Sequence, residues 1–234
     1  MRQPLFAILM LFILVFFSGG GSFVLGQETE ALPPLETLEV ANDYTAGASL
    51  ESIQGFLNSI KTMRANFIQI AADGSMAKGT MYMERPGKIR FEYTEDNPLL
   101  IVSDGAIVNL IDYEIGQITK WPVAETPLAL LLQEDIVLGD NVELATIPTE
   151  TGPVTMVSTY DPDKPEQGTL TLYFTGSGKS GDSPLLLDSW EVVDAKGSLT
   201  RVVLSGSEIN IPLDDDLWKF EDPRNKRFER RRRR

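Results

Sequence analysis

Neither cysteine nor histidine occurs anywhere in the 234 residues. Without cysteine there is no disulfide, no thiolate nucleophile and no thiolate-bound metal cluster. Without histidine the side chain that most often works as a base near neutral pH is gone, together with the commonest ligand of zinc, copper and haem iron. These two absences remove a large part of catalysis and most zinc, copper and haem sites. No enzymatic activity, metal or other cofactor is therefore expected. A long membrane-spanning run is lacking too. Leu5 to Phe17 is an apolar run of only 13 residues, against the about 20 needed to cross a hydrocarbon layer of about 30 Å. Arg2 precedes this run and the small residues Ser18 to Ser22 follow it, the layout of a secretory signal peptide. Val24 and Gly26 place the cut before Gln27, so residues 1–26 are expected to be removed. No cysteine lies at that cut to take a lipid anchor. The remaining chain is expected to be soluble, of a length that suits one domain.

Charge is unevenly spread. Residues 27–223 carry 33 acidic and 12 basic side chains, and residues 224–234 carry 8 basic and 1 acidic. An acidic body of this kind repels nucleic acid and anionic membrane surfaces, and no nucleic-acid partner is expected. The basic run at the end is either a solvated tail or a contact for anionic head groups.

Several local motifs fail for want of context. Thr175 to Ser180 resembles part of a phosphate-binding loop, but Tyr173 stands where its first glycine belongs and Pro184 follows instead of a helix. Ser75-Met76-Ala77-Lys78 has the serine–lysine spacing of penicillin-binding enzymes without their companion motifs. Asp214-Asp215-Asp216 offers oxygen ligands for calcium, yet three adjacent carboxylates on extended chain alternate in direction and converge poorly, so a solvated loop is expected there.

Residues 27–46 are polar, contain Pro33 and Pro34, and read as a linker before a domain spanning 47–223. Ser49 is placed to cap a helix whose apolar positions, Leu50, Ile53, Phe56, Leu57 and Ile60, recur at three- and four-residue steps and end near Lys61. From Met63 the period becomes two. Strands are expected over 63–70, 80–85, 88–93, 99–102, 106–112, 117–121, 142–147, 154–160, 169–174, 185–194 and 198–206, with a further one around Trp218. Thr126-Pro127 can open a short helix over Leu128 to Leu132. So many short strands in succession, with turns between them and few helices, point to an antiparallel sandwich or barrel in which sequence neighbours pair. Met81 and Met83 share the parity of Arg85, and Ile89, Phe91 and Tyr93 continue it beyond Pro86-Gly87. Alternation leaves open whether that apolar face meets other side chains or a ligand.

Read in order, Phe67-Ile68-Gln69, Arg85-Pro86-Gly87-Lys88-Ile89-Arg90-Phe91-Glu92-Tyr93, Leu100-Ile101-Val102-Ser103-Asp104-Gly105, and Thr126-Pro127 with Leu130-Leu131-Leu132 resemble the outer-membrane lipoprotein carrier (LolA-like) family from about residue 50 to 222. The resemblance implies an incomplete, strongly curved antiparallel β-barrel of about 11 strands, with a few lid helices over an apolar cavity. It implies a monomeric periplasmic carrier whose cargo is the acyl chains of lipoproteins. An inner-membrane lipoprotein-releasing ABC transporter would load it and an outer-membrane lipoprotein acceptor would unload it. Carriage of another lipid and a ligand-free structural β-domain are the alternatives. The candidate cavity residues are Leu57, Ile60, Phe67, Met81, Met83, Ile89, Phe91 and Tyr93, where Ile89 replaces the bulky aromatic common in the family. Leu57, Pro127, Leu128 and Leu131 are the candidate lid. Arg85 is implied as a latch bonding to lid carbonyls; from its place before a Pro-Gly turn alone, a solvated arginine is the other reading.

Overall fold

The computed structural model describes residues 47–94, 97–176 and 184–224. The expected signal peptide, the linker over 27–46, residues 177–183 of the glycine-serine loop and residues 225–234 of the basic tail lie outside the described residues.

Helix α1 (Leu50–Ser59) starts where its sequence provides a cap: the Ser49 hydroxyl accepts the Ser52 N–H at 3.2 Å. Ile53 and Leu57 bury on one face. Ile60 is already extended, so the helix stops at Ser59, two residues before the expected end. Eleven strands follow: β1 (Thr62–Ile70), β2 (Met76–Glu84), β3 (Lys88–Tyr93), β4 (Leu99–Ser103), β5 (Ile107–Asp112), β6 (Gln117–Pro122), β7 (Val142–Thr149), β8 (Gly152–Tyr160), β9 (Thr169–Thr175), β10 (Leu186–Val193) and β11 (Leu199–Ile209). They form one antiparallel sheet in the order β6-β5-β4-β3-β2-β1-β11-β10-β9-β8-β7. Every pair but β1–β11 is a sequence neighbour. β6 and β7, joined by the chain that crosses the open side, are unpaired edges, so the barrel is incomplete.

Side-chain parity determines what faces inward. Met63, Ala65 and Phe67 on β1 stand opposite Met83, Met81 and Gly79 on β2, which in turn face Ile89, Phe91 and Tyr93 on β3. Across the β1–β11 seam, Phe67 meets Leu204 and Gln69 meets Val202, and Val202 pairs with Trp190 on β10. Bulges at Arg64/Asn66 and Leu187/Ser189 accompany this curvature. Gly79 permits another close approach. A Cβ there would lie 1.9 Å from the Glu92 carbonyl oxygen and 2.9 Å from the Phe67 ring.

The convex side has a smaller core of its own. Leu100, Val102 and Ile111 pack with Ile118 beneath Phe220. Around Trp218 the chain forms a 3-10 turn, Asp215–Trp218, where a strand was expected. Asp214 accounts for the difference: its carboxylate accepts the Asp216 N–H at 2.9 Å and starts the turn. Asp216 in turn binds Lys219 at 2.6 Å, so the acidic triplet caps a turn. Arg90 then fastens the segment to β3 by donating to the carbonyls of Leu217 and Lys219 at 2.8 and 3.0 Å.

Candidate functional site

The concave face is closed by α1 and by the 3-10 turn Pro127–Leu132, both packed on the apolar interior. The turn has proline at its first position, but the Thr126 hydroxyl donates back to the Val123 carbonyl at 2.8 Å instead of capping forward. Polar side chains stitch the cover together. Asn58 exchanges two hydrogen bonds with the backbone of Ile136, at 2.9 and 2.8 Å, and Gln54 accepts the Leu138 N–H at 2.8 Å. These two residues are one helical turn apart on α1, which puts both amides on the same face. Gln167 donates to the Ala124 carbonyl at 2.9 Å.

The β2–β3 turn joins both halves of the cover to the sheet. Arg85 Nη2 donates to the Leu57 carbonyl on α1 at 2.5 Å, and the Gly87 N–H donates to the Leu132 carbonyl at 2.8 Å. Ser103 holds the turn from below through the Gly87 carbonyl at 2.8 Å. Leu57 lies in the last turn of α1, where the helix dipole is negative, and its carbonyl also accepts the Ile60 N–H at 3.3 Å; α1 has no basic residue of its own there. Arg85 is only 9% exposed, and its Nε and Nη1 have no hydrogen-bond partner. Burial pushes its pKa down from the ordinary arginine value, yet a guanidinium retains its charge in proteins. The solvated alternative does not fit a side chain so enclosed.

Beneath the cover the interior is largely filled. An apolar cavity of about 150 Å³ is bordered by Ile89, Phe91, Tyr93, Leu128, Trp190 and Val202, among others. Beside it is a gap of about 20 Å³, walled by Leu57, Ile60, Met81, Met83, Arg85, Leu131 and neighbouring side chains. The larger void, about 590 Å³, is an open groove by the cover, between Pro122 at the end of β6 and Val142 at the start of β7. The expected residues thus fall into two neighbouring groups. Ile89, Phe91, Tyr93, Pro127 and Leu128 border the cavity. Leu57, Ile60, Met81, Met83, Arg85, Leu128 and Leu131 surround the gap, with Ile89 and Leu128 common to both. Phe67 borders neither; it packs behind the wall, edge-on to Phe91 and Tyr93 with ring centroids 5.2 Å apart in each case. Tyr93 donates to Gln69 at 2.8 Å, and desolvation raises its phenol above the ordinary tyrosine pKa. Trp190 is the main residue that sequence reasoning missed. It borders both spaces and lies 6.4 Å from the Phe91 ring. Its strand was foreseen, and inward parity with Val192 was the available signal.

A profile of the family described as outer membrane lipoprotein carrier protein LolA matches residues 58–221. The chain belongs to that family. The LolA-family match takes in all eleven strands, the cover turn and the convex segment to Glu221. Two curated relatives bear the name outer-membrane lipoprotein carrier protein. That of Methylococcus capsulatus is 33% identical over 180 residues, 73% of this chain and 82% of its own length. That of Methylibium petroleiphilum is 32% identical over 184 residues, 75% and 86% of the two chains. Among solved structures, a LolA superfamily protein from Nitrosomonas europaea superposes with a TM-score of 0.40 at 10% identity, covering 75% of this chain and 98% of that one.

Proposed function

We propose that this LolA-family protein is a periplasmic chaperone that shelters the acyl chains of lipoproteins between the inner and outer membranes. On this reading an inner-membrane lipoprotein-releasing ABC transporter loads it and an outer-membrane acceptor unloads it. The observation that carries the reading is the apolar concave face under a cover held by few polar bonds, with Arg85 buried at the junction. A covered apolar interior without a cluster of reactive side chains among the described residues is suited to carriage, and the family is one of carriers.

Carriage solves a definite energetic problem. An acyl chain of about 16 carbons, at about 0.8 kcal/mol per methylene, costs on the order of 13 kcal/mol to bring into water. The described cavity, about 150 Å³, is smaller than the roughly 300–1,000 Å³ of ordinary ligand pockets. The form described is thus a closed one, and cargo gains room when α1 and the turn at 127–132 move outward. The closed contacts are lost on loading, which subtracts from the burial energy and leaves binding loose enough for release. Arg85 acts as the latch, because its bond to Leu57 must break when α1 lifts.

Native mass spectrometry of the protein isolated from the periplasm tests this, with and without Arg85→Leu. Acylated lipoprotein is expected on both, with more retained by the variant. A different lipid would reassign the cargo, and no lipid on either protein would leave a ligand-free domain.

A further inference from the structure

Arg85 has more donors in the closed protein than the latch uses. Nη2 is committed to the Leu57 carbonyl, whereas Nε and Nη1 are buried without a partner in a side chain only 9% exposed. Arg85 is the one charged residue bordering the adjacent gap, among Leu57, Ile60, Met81, Met83 and other apolar side chains. A buried charge with idle donors is unfavourable unless something accepts from them. The gap, at about 20 Å³, has room for one oxygen-bearing group, and a hydrocarbon chain does not fit. Ile89, Leu128 and Trp190 border both this gap and the apolar cavity. A chain lying in the cavity with its polar end toward the gap would bring its first carbonyl to the guanidinium.

We infer that Arg85 is a ligand-binding residue as well as a latch: its free N–H groups donate to the carbonyl oxygens of the ester or amide groups through which acyl chains are attached. The inference rests on the carrier reading above and deepens it. The site would then select acyl chains over alkyl chains of equal length joined by ether oxygens, which are weaker acceptors and project differently. Latch and ligand bonds use different nitrogens, so the carbonyl would meet donors that the latch does not use. Arginine suits both tasks because its five donors are held in a rigid plane.

The test compares two lipids of matched chain length, didecanoylglycerol and didecylglycerol diether, in displacing a fluorescent apolar probe from the mature protein. The wild type is expected to bind the diester about tenfold more tightly, the scale of a hydrogen bond to a charged donor. Arg85→Leu should bind both lipids with that preference lost, and Arg85→Lys should retain part of it. Equal affinity for the two lipids in the wild type overturns the inference, and this arm does not depend on a variant folding. A preference that survives in Arg85→Leu also overturns it, leaving the spare donors to water and Arg85 as latch alone. Binding of neither lipid by any form overturns the carrier reading itself.

Discussion

At the residue scale, Arg85 and Tyr93 show how burial redirects ordinary side chains. Arg85 is enclosed among apolar groups with a single side-chain hydrogen bond. Removing a buried charge together with its desolvation penalty is often neutral or stabilising. Arg85→Leu is accordingly expected to melt no lower than the wild type, while amides of α1 exchange faster with deuterium. A fall of several degrees in Tm would show that Arg85 supports the fold rather than the closed state. For Tyr93 the sign follows from burial. Its folded pKa lies above the unfolded value of about 10, so its contribution is fully present below pH 10. It is lost as pH rises further, because the unfolded chain releases the proton first. Stability measured by urea between pH 8 and 11 should fall less in Tyr93→Phe than in the wild type. Equal slopes would mean that other groups govern alkaline unfolding.

At the element scale, the β2–β3 hairpin and the convex segment determine the shape of the barrel. Gly79 lets β3 and the Phe67 ring come closer than any side chain would allow, its virtual Cβ being 1.9 Å from the Glu92 carbonyl oxygen. Gly79→Ala should destabilise by about 3 kcal/mol, the upper end of the usual overpacking range, read from denaturant midpoints. A loss below about 0.5 kcal/mol would mean that the hairpin relaxes at no real cost. The stretch through Trp218 and Phe220 covers Leu100, Val102 and Ile111, and Trp218 donates to Glu84 at 3.1 Å. A chain ending at Arg224 should therefore melt like the full protein. One ending at Pro212 should lose about 3–5 kcal/mol, the scale of deleting one large buried aromatic. Calorimetry of the two truncations separates these outcomes, and a large loss in the first would make the basic tail part of the fold.

At the scale of the whole molecule, the acidic excess over residues 27–223 gathers many like charges in one chain. Self-repulsion of that kind weakens with salt as the screening length falls from about 30 Å at 0.01 M to about 8 Å at 0.15 M. Tm should rise over that interval. A decrease would mean that surface pairs such as Arg64–Glu208 and Arg201–Glu191 outweigh the repulsion. The open sheet also gives the molecule two unpaired edges, β6 and β7, and they border the side where the cover lies. The cover belongs to no strand ladder, so an outward movement of it, as the proposed function asks, would break none.

Much of this architecture was legible in the chain. Ser49 and the apolar spacing after it define α1, and the alternation of Met81, Met83, Ile89, Phe91 and Tyr93 puts them on one face, because a strand repeats every two residues. The strand expected around Trp218 is instead a turn, since a carboxylate that caps its own turn, as Asp214 does, cannot be told from one on extended chain by period alone. Local pattern likewise could not show that β1 pairs with β11, that Trp190 meets Phe91, or that Arg85 reaches Leu57. Those contacts join residues 28 or more positions apart, and only closing the sheet brings them together. The sequence by itself determined which side chains face inward. The tertiary structure decided how much space they leave, and that Arg85 is buried among them with donors unused.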